Sequence, residues 1–404
     1  MFGIFYRIGI ELYFLLVRIV SFSNKKASLF IKGRQSIFST LATLEPKTYR
    51  RIWFHCASLG EFEQAKPIIE QLKTQQPHIF IAVSFFSPSG FEPSKNYQHA
   101  DWVGYIPKDT SRNANRIISL LQPDCVVFVK YEIWYFLLRE LHKQKIATYL
   151  VSAKFRKGGL LNPYIKSFFL PLLKGIKKIY LQDVGSYQIL KDEGLKQIEI
   201  SGDTRVDRVI ALAAQEFDTT QFEKFVQHSK VLIGGSTWQQ EEDLLFEAMQ
   251  TLPEFIKLII APHDIKRSKD IAHKFEKFGV ALLSQWQPDG QVRVVIVDSI
   301  GQLSKLYRIA NIAFIGGGFN NSLHNIYEPA VYGIPVLYGN NTPKFPEADL
   351  FYKNGMGFPI RTAGELYKLT LSLDDFYKTV KSKSAQFFEN NRGVCTTIST
   401  ELLQ

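Results

Sequence analysis

The chain has 404 residues, 46% of them hydrophobic, which excludes a largely disordered protein and fits two domains of ordinary size. Its three cysteines, Cys56, Cys125 and Cys395, lie far apart, so neither a disulfide framework nor a cysteine metal site is expected, and a reducing compartment suits them. The formal net charge of +11 favours a polyanionic partner: an anionic membrane, a phosphorylated substrate or nucleic acid.

Residues Phe2 to Phe22 form the most apolar stretch, interrupted by Arg7, Glu11 and Arg18. At about 100° per residue these three charges fall within roughly 40° of one another on a helical wheel. A spanning helix would not carry an unpartnered charged stripe through its middle. The pattern predicts an amphipathic helix lying in a membrane interface, stripe toward the headgroups; the alternatives are a helix packed on the N-terminal domain through its apolar face and a single-pass anchor. Lys25, Lys26, Lys32 and Arg34 follow, a basic cluster suited to anionic lipid. Residues 1–34 are therefore read as a membrane-associated segment. The charges break any signal-peptide core, so a secretory leader is not expected.

From Arg51 the chain alternates β-rich apolar runs with helical patterns. Strands are predicted at 52–56, 78–85, 125–129, 146–151, 178–181 and 198–200, with helices at 62–73, 113–121, 133–142 and 186–192. Such alternation argues a parallel sheet covered on both faces. Residues 211–229 are polar and strandless and suit a helix plus linker. A second series then begins, with strands at 231–233, 258–261, 280–283, 292–297, 312–315 and 335–337 and a last helix at 374–391. The fold class is α/β: two doubly wound, Rossmann-like domains facing across a cleft, residues 35–215 and 216–404. Ligands in such folds bind outside the carboxyl ends of strands.

The loops at those ends hold the candidate residues. The first strand ends in Ala57-Ser58-Leu59-Gly60-Glu61, where Glu61 is either a general base or a partner of the helix dipole. The second runs into Ser84-Phe85-Phe86-Ser87-Pro88-Ser89-Gly90, either a polar, anion-binding loop or a turn with an N-cap serine. In the second half, Gly234-Gly235-Ser236-Thr237 precedes an acidic helix start, Glu241-Glu242-Asp243. It lets the backbone approach a phosphate but lacks the lysine of a Walker loop. Pro262-His263-Asp264 is followed by the cations Lys266 and Arg267. The densest segment, Gly316-Gly317-Gly318 through Asn325 and Glu328, offers amide donors to a phosphate and a carboxylate to ribose hydroxyls.

Taken together and in order, these segments resemble the Kdo (3-deoxy-D-manno-octulosonic acid) transferases of lipopolysaccharide synthesis, over nearly the whole chain. Gly60-Glu61 matches the family's "GE". Pro123-Asp124 with Tyr131-Glu132-Ile133-Trp134 is similar to its "P-D" strand and acidic-aromatic helix start, and Ser89-Gly90 to its "SG" loop. Gly235-Ser236-Thr237 with Glu241-Glu242 looks like its "G-[ST]" loop. Its "HN-x-x-EP-A-x-x-G-x-PV" signature is met by His324-Asn325, Glu328-Pro329-Ala330, Gly333 and Pro335-Val336. Two departures stand out. Ser322-Leu323 replace two glycines before "HN", and Pro262-His263-Asp264 replaces "P-R-H", which leaves Lys266 or Arg267 to take the arginine's place.

The resemblance implies a GT-B glycosyltransferase that moves Kdo from CMP-Kdo to a hydroxyl of a phosphorylated lipid A precursor, with inversion. Glu61 would be the base, and Ser58, Gly60, Ser89, Gly90 and Glu132 would bind acceptor. Gly235, Ser236, Thr237, His263, Lys266, Arg267, Gly317, Gly318, His324, Asn325 and Glu328 would bind donor. The expected location is the cytoplasmic face of the bacterial inner membrane, with the anionic surface as a partner. No Asp-x-Asp triplet stands at such a loop, so neither metal nor cofactor is expected. The alternative is another membrane-associated GT-B enzyme using a UDP-sugar. A sugar-nucleotide epimerase would not need the N-terminal helix. A nucleic-acid partner is not expected, because the basic residues are spread along the chain rather than clustered with surface aromatics.

Overall fold

The computed structural model describes residues 2–156, 158–287 and 292–404. The chain forms two compact units: residues up to Asp207 together with Gly393–Gln404, and Arg208–Arg392. The division falls at Asp207, ahead of the sequence boundary at 215, and the last residues belong with the first unit rather than the second.

Unit 1 is built on a seven-stranded parallel sheet. Its strands are β1 (Arg51–Cys56), β2 (Phe80–Phe85), β3 (Trp102–Tyr105), β4 (Cys125–Val129), β5 (Ala147–Ala153), β6 (Lys178–Leu181) and β7 (Ile198–Ile200), in the order β3-β2-β1-β4-β5-β6-β7. All six residues of β1 are buried, which explains its near-continuous apolar run: a strand covered on both faces has no solvent side to mark by alternation. Ile52 and Phe54 pack on one side of the sheet, with Ile68, Leu72, Ile398 and Leu402. Trp53 packs on the other, with Phe128, Leu138 and Leu150. The strand order reverses between β1 and β4, so the loops after these two strands flank a topological switch point, where open α/β sheets place their ligands.

Unit 2 repeats the plan with β8 (Lys230–Thr237), β9 (Ile256–Pro262), β10 (Val280–Leu282), β11 (Val294–Ile296), β12 (Ile312–Ile315), β13 (Val336–Gly339) and β14 (Gly357–Ile360), ordered β10-β11-β9-β8-β12-β13-β14. Its switch point lies between β8 and β12. Two strands, β3 and β14, were absent from the sequence expectation. Both are four-residue edge strands, one holding Gly104 and the other Gly357 and Pro359, residues that weaken a strand signal and are tolerated at edges.

The N-terminal helix spans Phe2–Val20 and docks on unit 1. Tyr6 donates to Asp109 at 2.8 Å, Tyr13 stacks on Phe86 and Glu11 pairs with Lys108 at 2.7 Å. Glu11, part of the charged stripe, lies half exposed at the edge of the docked face, where Lys108 compensates it. The outward ridge is apolar, with Ile8, Leu12, Leu16 and Ile19 each more than half exposed. Among the described residues no helix is long and apolar enough to cross a membrane.

The last helix, Val394–Leu403, was also not anticipated; it follows the expected one, seen at Leu373–Asn391. It lies in unit 1 against the helix Leu59–Gln75, with Gln71 donating to Thr396 at 2.8 Å. Its first turn is capped from far away. Asp207 accepts from the N–H groups of Gly393 and Cys395, both at 2.6 Å, because Gly393 itself has no side chain to serve as cap.

Candidate active site

In unit 1 the helix Leu59–Gln75 starts directly after β1, so Glu61 stands in its first turn. Ser58, the N-cap residue, donates its hydroxyl to Glu61 Oε2. Gly90 lies against this corner: a Cβ there would overlap the Phe85 ring and press on the Ser58 carbonyl carbon. The loop after β2 is thus held close to the loop after β1. Ser89 is exposed, its hydroxyl 2.9 Å from that of Ser87, whose Oγ caps the short helix Pro88–Ser94. Gly60 is not forced by space, since a Cβ would meet only Ser58 Oγ at 3.9 Å.

Glu132 lies beyond β4, across the switch point. Its Oε2 accepts from Trp134 Nε1 at 2.9 Å and lies 3.4 Å from His55 Nε2. His55 is fully buried on β1, in register with Ser84 on β2. Ser84 Oγ receives Trp53 Nε1–H at 2.7 Å and lies 2.9 Å from His55 Nδ1. Burial pushes the Cys56 thiol well up, and the charges of Glu61 and Glu132 add to the effect; both carboxylates are therefore close to the end of β1. Behind Glu132, buried Asp109 accepts from Phe136 and Leu137 N–H at 3.1 and 2.9 Å, fixing the start of the helix Tyr135–Lys143. His55 and Asp109 were not singled out from sequence, and Ser84, quoted there with the polar loop after the second strand, lies fully buried within β2 instead. The signal available was a histidine inside the otherwise apolar run Ile52-Trp53-Phe54-His55-Cys56.

In unit 2, Ser236, the next-to-last residue of β8, is in the left-handed region, φ 53°, where the register against β9 shifts between Gly235 and Thr237. A residue with a side chain held there is a local strain of the kind found at ligand loops. Glu241 accepts from Trp238 N–H at 3.0 Å and Gly317 N–H at 2.9 Å. It thereby ties the helix Gln239–Met249 to the glycine turn after β12. That turn admits only glycine at three places: Gly316 lies against the Ser236 carbonyl, Gly317 has φ 84° with the Ser322 carbonyl against it, and Gly318 touches the backbone of Gly339. The Gly317 N–H is spent on Glu241 and is not a free donor for a phosphate.

Glu242 is 1% exposed and takes a bidentate fork from Arg267 at 3.0 and 2.6 Å, with Thr237 Oγ1 at 3.4 Å. Burial raises both Glu241 and Glu242 above the usual carboxylate range, against their hydrogen bonds. Arg267 is thus committed to Glu242 and organises the loop, which leaves Lys266, exposed, as the cation with no such tie. His263 stacks on Trp238 with ring centroids 4.2 Å apart and lies 4.8 Å from His324. Burial, and then His263, lower His324 to about 4, and its Nε2 is buried with no hydrogen-bond partner among the described residues. Asn325 Nδ2 donates to Glu328 at 3.1 Å while its Oδ1 accepts from Tyr327 N–H. Gly235 sits under the Tyr307 hydroxyl. Among the described residues no group of three or more His, Cys, Asp or Glu is placed to hold a metal.

Residues 31–208 match the family described as 3-deoxy-D-manno-octulosonic-acid transferase (kdotransferase), a range that includes the whole Ser58–Glu61, Ser89–Gly90 and Glu132 constellation. Over that range the chain is similar to the Kdo transferase family. A 3-deoxy-D-manno-octulosonic acid transferase of Aquifex aeolicus is 28% identical over 337 residues, covering 82% of this chain and 88% of that protein. A bifunctional glycosyltransferase/methyltransferase of Fusobacterium nucleatum is 25% identical over 395 residues, 93% of this chain, and this chain spans only 60% of its length. Among solved structures, a UDP-GlcNAc 2-epimerase from Neisseria meningitidis bound to UDP-GlcNAc superimposes with a TM-score of 0.58 at 16% identity, covering 87% of this chain and 99% of that one. At that identity the likeness speaks for the two-domain fold alone.

Proposed function

We propose that this chain is a Kdo transferase that moves Kdo from CMP-Kdo, held by unit 2, to a hydroxyl of a phosphorylated lipid A precursor, held by unit 1, with inversion. The observation that carries the reading is Glu61 in the first turn after β1, at the switch point of the sheet that bears the family match. In this step the acceptor oxygen attacks the anomeric carbon of Kdo. Its proton passes to Glu61, and the bond from the anomeric carbon to the phosphate oxygen breaks, releasing CMP with the electron pair. Ser58 orients Glu61 by donating to one carboxylate oxygen, leaving the other for the acceptor hydroxyl. Glu132, gripped by Trp134 and faced by His55, would orient the acceptor. The polar loops after β8 and β12, with Lys266, His324 and Asn325, would hold the nucleotide and stabilise the leaving phosphate. The exposed apolar ridge of the Phe2–Val20 helix supports attachment to the cytoplasmic face of the inner membrane.

Kdo transfer to a lipid A precursor, with CMP-Kdo regenerated in situ, tests this. Glu61→Gln should lose roughly 10²–10⁴-fold in kcat with its thermal transition unchanged. Transfer that survives the substitution removes Glu61 from the role of base. No transfer by folded, membrane-bound wild type, with turnover of a UDP-sugar instead, overturns the donor.

A further inference from the structure

A cavity of about 330 Å³ lies beside the N-terminal helix, and Arg34 in its wall donates to the carbonyl of Phe86, whose ring packs on Trp134. One wall is a single helical stripe, Glu11, Phe14, Leu15 and Arg18; Arg34 and Lys108 stand on the others. Three cations and one carboxylate therefore face one space. Glu11 is matched by Lys108. Among the described residues, neither Arg18 nor Arg34 has a carboxylate partner. Arg34 gives three N–H groups to the carbonyls of Phe30, Phe86 and Ile106 and lies 3.6 Å over the Phe30 ring. These contacts hold the guanidinium in place without neutralising it, and burial lowers it to about 9. A partly buried cation without an anion is costly unless a ligand supplies one. Leu15 belongs both to the cavity wall and to the exposed ridge, at 54% exposure, so the cavity opens onto apolar surface.

We infer that this cavity binds the phosphate headgroup of a bilayer lipid, with Arg18, Arg34 and Lys108 around the phosphate and the acyl chains along the helix ridge. The inference rests on the membrane attachment proposed above and goes further: attachment by apolar area and diffuse charge alone would be indifferent to which anion the lipid carries.

The test is co-sedimentation of the full chain with phosphatidylcholine vesicles containing either phosphatidic acid or a long-chain fatty acid, at matched surface potential and with no sugar donor present. Wild type should prefer the phosphatidic acid vesicles by about fivefold or more, the scale of one well-placed cation. Arg18→Gln/Lys108→Gln should bring that preference to about one, whereas Lys25→Gln/Lys26→Gln should weaken binding to both vesicles alike. Circular dichroism and a thermal melt establish that each variant is folded. Equal binding of wild type to the two vesicles, or a preference that survives in Arg18→Gln/Lys108→Gln, overturns the site. Displacement by inorganic phosphate at constant ionic strength would show a site for free phosphate and likewise overturn the lipid assignment. Because no transfer is measured, failure here leaves the Kdo reaction standing, and failure of that reaction leaves this result standing.

Discussion

Asp207→Ala should release the last helix from the rest of unit 1. The carboxylate accepts from two N–H groups at the N-terminus of Val394–Leu403, each at 2.6 Å, and Gly393 brings no side chain to replace it. Loss of an N-cap acceptor costs about 1 kcal/mol, and loss of a negative charge at a helix N-terminus a further ~0.5–1 kcal/mol. Together these amount to about 2 kcal/mol against local closure, or roughly thirtyfold in the opening equilibrium. Val394, Cys395, Ile398 and Leu402 pack in the core beside Ile68 and Leu72 of the helix that carries Glu61, so the opening exposes the support of the turn that holds Glu61. Hydrogen exchange read on peptides covering 394–403 should accelerate by about that factor. Asp207→Asn, which keeps one acceptor oxygen and no charge, should fall between. Unchanged protection in a folded Asp207→Ala would show that apolar packing alone seats the helix, and would refute the argument.

Arg267→Met should destabilise the protein by about 2 kcal/mol, less than the ~3–5 kcal/mol of a fully buried pair because Arg267 is 33% exposed. Arg267→Met/Glu242→Met should recover most of the loss in urea titration, since it removes the stranded carboxylate too. His324 is held near 4 in the native protein against 6.5 unfolded, so below pH 6.5 the unfolded chain takes up the proton first. Its contribution is intact above that pH and lost on acidification toward about 4; His324→Asn should flatten that part of the stability profile. Glu241 acts in the opposite sense. Its native value lies above 4.5, so the native state holds the extra proton and stability falls as pH rises from 4.5 through the native value. Glu241→Gln should reduce that fall, as followed by urea midpoints across the window.

The central strands were legible because they are covered on both faces and so read as uninterrupted apolar runs; β1, β4 and β12 fall within a residue of their expected limits. The edge strands and the last helix were not. Val394–Leu403 contains three threonines, a serine, a valine and a cysteine, residues of modest helix propensity, and is held by tertiary packing and a remote cap. Glu61 was visible by its place after a strand. The His55–Ser84–Trp53 set was not, because it exists only through the pairing of His55 with Ser84 across β1 and β2. The roles of Arg267 and Gly317 were hidden for the same reason: the carboxylates that occupy them, Glu242 and Glu241, are 25 and 76 residues distant in sequence.

Unit 1 is discontinuous: its final helix leaves the ribosome only after all of unit 2 has been made. Until then the faces of Ile68 and Leu72 that will meet Ile398 and Leu402 lack that cover, and unit 1 is not yet a finished domain. The Asp207 contact also brings the exit and re-entry points of unit 1 side by side. Unit 2 is therefore inserted through neighbouring ends, the arrangement by which one module can be exchanged while its host retains its fold.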